Sequence, residues 1–300
     1  MTTTLASDTF SRVEHFASVA STNDVVRSWL AAGTPEVCVA VADEQTAGRG
    51  RNGRTWVAPP GSSLLTSLGF RPTWLPPADS WRLAALVAMA MADAAEDHAG
   101  MTEGTIRLKW PNDLVIVSGG PDALLVGDIT ADEARELQAS PIAIRKLAGI
   151  LGETDGLGTD DPRLVIGIGL NADWDDAELP AGVPADLATS MTTLRAASGG
   201  RPIDREPLLE AFLSRMETRL AALRAGRFDV AGWTDRQVTT GHLVSLAALN
   251  GEVEHLRALG VDGASGALVV ADPDEPRSSG GRLVHAGEIL RLRVLDAGGV

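Results

Sequence analysis

Two apolar runs, LAGILGET (Leu147–Thr154) and RLVIGIGLN (Arg163–Asn171), set the strictest limit on how this chain can fold. Glycine recurs inside both, and each occurrence weakens a helix. Aliphatic residues fill most other positions without a clean polar alternate, so strands built from these runs must be covered on both faces. That combination predicts an interior sheet in a layered α/β protein. The glycines also allow another strand or a ligand to approach the backbone closely.

Elements to flank such a sheet are legible elsewhere. From Ser21 to about Ala32, Val25, Val26, Trp29 and Leu30 recur at helical spacing, with Ser21 or Thr22 available as the cap and Gly33 as the stop. Ser80–His98 is rich in Ala and Met and reads as a helix packed closely on a sheet. Asp204–Gly226 carries Leu208, Leu209, Phe212, Leu213, Met216, Leu220 and Leu223 along one face. Strands are predicted at EVCVAVAD (Glu36–Asp43), at Leu64–Phe70, and at IRLKW and LVIV on either side of a turn at Pro111, Asn112 and Asp113. Ser118 to Ile144 has weak periodicity and reads as a long insertion. From Thr239 to Val294, short β-like runs between glycine-rich turns suit a small barrel resembling an SH3 fold. The expected division is residues 1–236 and 237–300.

Composition narrows the class of function. The formal charge of −14 disfavours a protein whose main task is gripping nucleic-acid backbone. No apolar run approaches the roughly 20 residues that cross a bilayer, and MTTTLASDTFSRVEHF lacks the basic start and apolar core of a secretory signal. Cys38 is the sole cysteine, which excludes an internal disulfide and fits a reducing cytoplasm; between Val37 and Val39 it reads as a small buried hydrophobe. His15, His98, His242, His255 and His285 show no metal-ligand spacing. Positive charge is therefore informative by its place. Lysine occurs only at Lys109 and Lys146, and both stand inside motifs.

EQTAGRGRNGRTW (Glu44–Trp56) sets Arg49, Arg51 and Arg54 between Gly48, Gly50 and Gly53. Bendable backbone and planar donors suit a carboxylate or a phosphate, and Trp56 offers a face for stacking an aromatic base. A disordered RNA-binding tail is the alternative, and the acidic charge weighs against it. KWPND (Lys109–Asp113) gathers a cation, an aromatic, a rigid turn, an amide and a carboxylate; an ordinary interstrand turn has the same composition. RKLAGIL puts Lys146 at the mouth of a buried strand, where an ammonium pairs with phosphate or simply snorkels. GIGLN ends the other glycine strand on Asn171, where ligands often sit in α/β proteins.

In order along the chain, STN (Ser21–Asn23), EQTAGRGRNGRTW, KWPNDL, KLAGIL and GIGLN resemble the motif series of bacterial biotin protein ligases. The resemblance covers most of Val13–Asn171 and, more diffusely, AGEILRLRV near the C-terminus; only the stretch between KWPND and KLAGIL is longer than that pattern. It implies a mixed-sheet α/β catalytic domain like class II aminoacyl-tRNA synthetases, followed by an SH3-like barrel. It implies biotin and ATP as substrates with Mg²⁺, and a biotin carboxyl carrier domain of an acyl-CoA carboxylase as protein partner. By the same resemblance, Ser21, Thr22, Asn23 and Gln45 line the biotin pocket, Arg49, Gly50 and Arg51 close over its carboxylate, and Lys146 also binds biotin. Arg51, Arg54, Trp56, Asn112, Lys146 and Asn171 meet ATP, and Arg51, Lys109, Asp113 and Lys146 serve the reaction. Asp113 is the candidate metal ligand. About 20 residues precede STN, fewer than a helix-turn-helix module needs, so neither DNA binding nor repression is expected. A monomer or weak homodimer is expected.

Overall fold

The computed structural model describes residues 8–118, 143–174, 191–274 and 280–295. All but the ends of the insertion expected at Ser118–Ile144 lies outside the described residues. Strands are β1 (Arg12–Phe16), β2 (Cys38–Ala42), β3 (Ser63–Phe70), β4 (Ile106–Lys109), β5 (Asp113–Ser118), β6 (Ala143–Asp155), β7 (Arg163–Asn171), β8 (Leu243–Ala248), β9 (Val253–Val261), β10 (Leu268–Ala271), β11 (Arg282–Val284) and β12 (Ile289–Leu295). Helices are α1 (Thr22–Ala31), α2 (Trp81–Ala99), α3 (Leu194–Ala197), α4 (Arg205–Arg224) and α5 (Val230–Asp235). Chain contacts divide into two compact units, residues 1–104 with 146–228, and residues 105–145 with 229–300.

In the first unit the strands run in the order β1-β2-β3-β7-β6. β1 and β2 are parallel and the remaining pairs antiparallel, so this is an α/β unit with a mixed sheet. Every residue of β2 and β3 is buried, β2 as its unbroken apolar pattern requires and β3 with Ser63, Thr66 and Ser67 among its apolar residues. α1 packs on β2, β3 and β7, α2 on β7 and α4, and α4 on β3. Leu208, Phe212, Leu213, Met216, Leu220 and Leu223 of α4 are buried, and Asp204 caps that helix by accepting from the Glu206 N–H at 3.1 Å. α2 ends at Gly100 in the left-handed conformation, φ 66°. Cys38 is buried, and burial pushes its thiol up to about 11, which fits a packing role.

The second unit contains the hairpin β4–β5 and a five-stranded antiparallel sheet in the order β11-β10-β9-β8-β12. The strand runs expected after Thr239 are present. β1 and β11 carry no strong sequence signal, being short and half exposed. Among the described residues, no helix is long and apolar enough to cross a membrane.

Candidate active site

The strand period of two puts Gly167, Gly169 and Asn171 on one side of β7. Register then sets Gly149 opposite Gly169, Glu153 opposite Val165, and Ser67 of β3 opposite Gly167. The result is a shallow glycine floor with the N-terminus of α1 lowered onto one end. A Cβ at Gly167 would stand only 2.2 Å from Asn23 Oδ1.

Ser21, Thr22 and Asn23 are buried at that end. Ser21 is the N-cap residue of α1, yet its hydroxyl makes no capping bond; its carbonyl accepts from the N–H groups of Asp24 and Val25. The backbone N–H and hydroxyl of Thr22 both donate to Gln45 Oε1, at 2.8 and 3.0 Å. Ser67 Oγ lies 2.7 Å from Thr22 Oγ1 and 2.6 Å from Asn23 Oδ1, and its one hydrogen serves one of them at a time. Asn23 Nδ2 donates to Glu153 Oε2 at 2.6 Å. A carboxylate only accepts, so Glu153 orients the amide with its nitrogen outward and its oxygen toward Ser67. The sequence-predicted residues Thr22, Asn23 and Gln45 thus form one connected polar network.

The glycine–arginine loop begins beside this network. Its ends are tied by Trp56 N–H donating to Gly48 O at 2.9 Å and Gly50 N–H donating to Arg54 O at 2.7 Å, around a turn at Arg51–Gly53. Glycine is required at Gly48, where a Cβ would meet the Trp56 carbonyl oxygen at 2.5 Å. Arg49 donates from two nitrogens to the two oxygens of Asp24, at 2.7 and 2.8 Å, and reaches Glu153 at 3.4 Å. Arg27 pairs with Asp24 at 3.0 Å and with Glu153 at 2.6 Å, closing a balanced four-charge cluster.

The Arg49 hydrogen bond holds the Asp24 carboxyl below its ordinary range, against partial desolvation that raises it, and Asp24 in turn raises Arg49. A depressed folded-state pKa means this contribution is present above the unfolded carboxyl's range and is lost as pH falls through the folded value. Each half-exposed pair is worth little in stability, so the effect belongs to the loop. Asp24→Asn is expected to speed tryptic cleavage at Arg49, Arg51 and Arg54 severalfold at pH 7 with little change in melting temperature. Equal cleavage rates would show that Asp24 does not hold the loop.

Trp56 lies over the glycine floor. Cβ atoms built at Gly169 and Gly149 would stand 2.6 Å from its Cε2 and 3.0 Å from its Cζ3. Lys146 Nζ lies 5.5 Å from the Trp56 ring centroid, within cation–π range. Asn171 is fully buried, and its Nδ2 donates to Thr192 O at 3.1 Å. Asn171 Oδ1 and Trp56 Nε1 are buried and have no hydrogen-bond partner among the described residues. A buried acceptor and a buried donor left open at one floor are what a site for a polar aromatic ligand offers.

Lys109, Asn112 and Asp113 belong to the second unit. Lys109 and Asp113 are directly opposed across the β4–β5 hairpin, and Asn112 lies in the turn between them; all three are half-buried. Among the described residues, no group of three or more His, Cys, Asp or Glu side chains could hold a metal ion.

The biotin/lipoate A/B protein ligase family profile matches residues 15–171, more than half of the chain. The chain belongs to this family. Among curated members, the biotin–[acetyl-CoA-carboxylase] ligase of Mycobacterium tuberculosis is 29% identical over 282 residues, covering 92% of this chain and 88% of that protein. The Bacillus subtilis bifunctional ligase/repressor BirA is 29% identical over 230 residues, covering 76% of this chain. The chain spans 60% and 65% of the lengths of the two Bacillus members it matches. In fold it is similar to the Aquifex aeolicus biotin protein ligase solved with biotin and ATP, at TM-score 0.67 and 22% identity, covering 95% of this chain and all of that one. The Leishmania major biotin protein ligase solved with biotinyl-5-AMP gives TM-score 0.53 at 22% identity over 93% of this chain and 98% of that one.

Reading by motif passed over Ser67, Asp24, Arg27 and Glu153. Ser67 left little trace, being one of three hydroxyl residues, with Ser63 and Thr66, in β3. The other three look like ordinary surface charges until the register brings them together.

Proposed function

We propose that this chain activates biotin with ATP to biotinyl-5′-AMP and transfers the biotinyl group to a lysine of a biotin carboxyl carrier protein. The observation that carries this reading is the polar network of Thr22, Asn23, Gln45 and Ser67. It holds oriented donors and acceptors at one end of a glycine floor, beside an arginine loop. A cyclic urea needs such partners, since a buried polar group left unsatisfied costs about 1–3 kcal/mol. Ser21 completes the pocket in this reading. Arg49, Gly50 and Arg51 meet biotin's carboxylate; Arg49 then exchanges the Asp24 carboxylate for that of the ligand. Trp56 stacks on adenine, Asn171 holds the base, and Arg54 and Asn112 serve the phosphates.

A biotin carboxylate oxygen bonds to the α-phosphorus and pyrophosphate leaves. Arg51, Lys109 and Lys146 offset the charge that gathers there. The carrier lysine's neutral amine then bonds to the acyl carbon, AMP leaves with the electron pair of the broken C–O bond, and Asp113 orients the amine or takes its proton. Asp113 would hold a magnesium ion, which would supply charge neutralisation beside the nucleotide phosphates. The wider architecture proposed is a catalytic domain like class II aminoacyl-tRNA synthetases, residues 1–236, with an SH3-like barrel, residues 237–300. The enzyme works in the cytoplasm as a monomer or weak homodimer.

The test is incubation of the purified chain with ATP, Mg²⁺, biotin and an apo carrier domain, read as a mass increase on one lysine. Transfer of lipoate in place of biotin would overturn the substrate assignment.

A further inference from the structure

We propose that Trp110 is a positioning residue: it fastens the turn that carries Lys109, Asn112 and Asp113 to the five-stranded sheet, so that the sheet sets where those groups stand. The proposal rests on the ligase reading for what the groups do, but the fastening is a matter of packing. β4 and β5 have only four and six residues, and β4 is the last strand in the order of its sheet. A tryptophan at a turn ordinarily lies at the surface. Trp110 is 3% exposed and is part of one hydrophobic cluster with Val244, Leu246, Leu256, Leu268, Val270 and Ile289.

Two bonds fix the ring and its backbone. Trp110 Nε1 donates to the Gly266 carbonyl at 3.0 Å, and its backbone N–H donates to Thr239 Oγ1 at 3.1 Å. Thr239 is fully buried, so no water replaces that acceptor. On the flank, Leu108 N–H donates to Arg236 O at 2.8 Å and Val238 N–H to Leu108 O at 2.9 Å, adding the segment before Thr239 to the outer side of β4. Lys109 is thus held between two fixed neighbours, and Asp113 is its cross-strand partner. An indole and a backbone amide anchored some 130 to 156 residues away in sequence define the turn's height and rotation.

The decisive pair is Thr239→Val and Thr239→Ser in the full chain. Valine keeps the volume and removes the acceptor; serine keeps the hydroxyl. With Thr239→Val, amides of Lys109–Asp113 are expected to exchange hydrogen faster. Biotinyl-adenylate should form about ten- to a hundredfold more slowly at saturating substrate, the size of a small misplacement, with KM for biotin unchanged. Thr239→Ser should restore both rate and protection. Trp110→Phe, which keeps a ring but loses the Nε1 bond, should shift both readouts in the same direction as the valine. Unchanged exchange at Lys109–Asp113 in Thr239→Val and Trp110→Phe would overturn the proposal, as would wild-type adenylation rates in both. A wild-type chain that forms no adenylate would sink the ligase reading alone, and the exchange data would still decide the positioning role.

Discussion

Lys146→Ala is expected to lower biotinyl-adenylate formation by about 10²–10³-fold, the usual cost of removing one donor from a charge-stabilising site. Lys146 is the fourth residue of β6, with Thr192 N–H donating to its carbonyl at 2.9 Å. Its side chain folds back over Gly149, where a Cβ would meet Nζ at 2.9 Å, and it shares the floor with the Trp56 indole. An ammonium placed there adds no bulk to the core, so truncation should leave the melting temperature near wild type. Pyrophosphate release measured with biotin and ATP, alongside a thermal melt, separates the two effects. Lys146→Arg keeps the charge but replaces a compact ammonium with a planar fork, and partial recovery is expected. A fully active alanine variant would remove the electrostatic account of the reaction.

Gly167→Ala should raise the biotin KM by about a hundredfold, which corresponds to some 2.7 kcal/mol and falls within the cost of disrupting a buried polar group. The added methyl would lie 2.2 Å from Asn23 Oδ1 and 3.2 Å from Ser67 Oγ. Asn23 cannot yield cheaply, because Glu153 holds its nitrogen at 2.6 Å and Ser67 its oxygen at 2.6 Å. Gly152→Ala is the control: its nearest neighbour is Ile166 Cδ1 at 3.3 Å, a flexible side-chain end. Biotin titration by calorimetry distinguishes them. Wild-type affinity in Gly167→Ala would show that the Asn23 amide is not part of the biotin pocket.

The main elements and most candidate residues were legible because their signals are local. Apolar glycine runs, a capped amphipathic helix and a turn at Pro111 each declare themselves within a dozen residues. β1 and β11 were silent because short, half-exposed strands carry too little patterning to separate from loop. Arg49 shows the limit most clearly. Its chemistry pointed to an anion, but its neighbours in sequence gave no sign that Asp24 and Glu153 would supply the carboxylates.

By itself, the sequence determined the α/β class, the family motifs in their order, and the isolation of both lysines within those motifs, since each depends on residue type and spacing alone. Only the tertiary structure decided which groups share a face. Register set Ser67 opposite Gly167 and Gly149 opposite Gly169, and a slip of one residue would have turned each of them to the other side. Nor could spacing reveal that Trp110, in the middle of a motif, is buried among strands more than 130 residues further on. Such contacts are chosen by shape and by the satisfaction of buried polar groups, and those are properties of the folded chain.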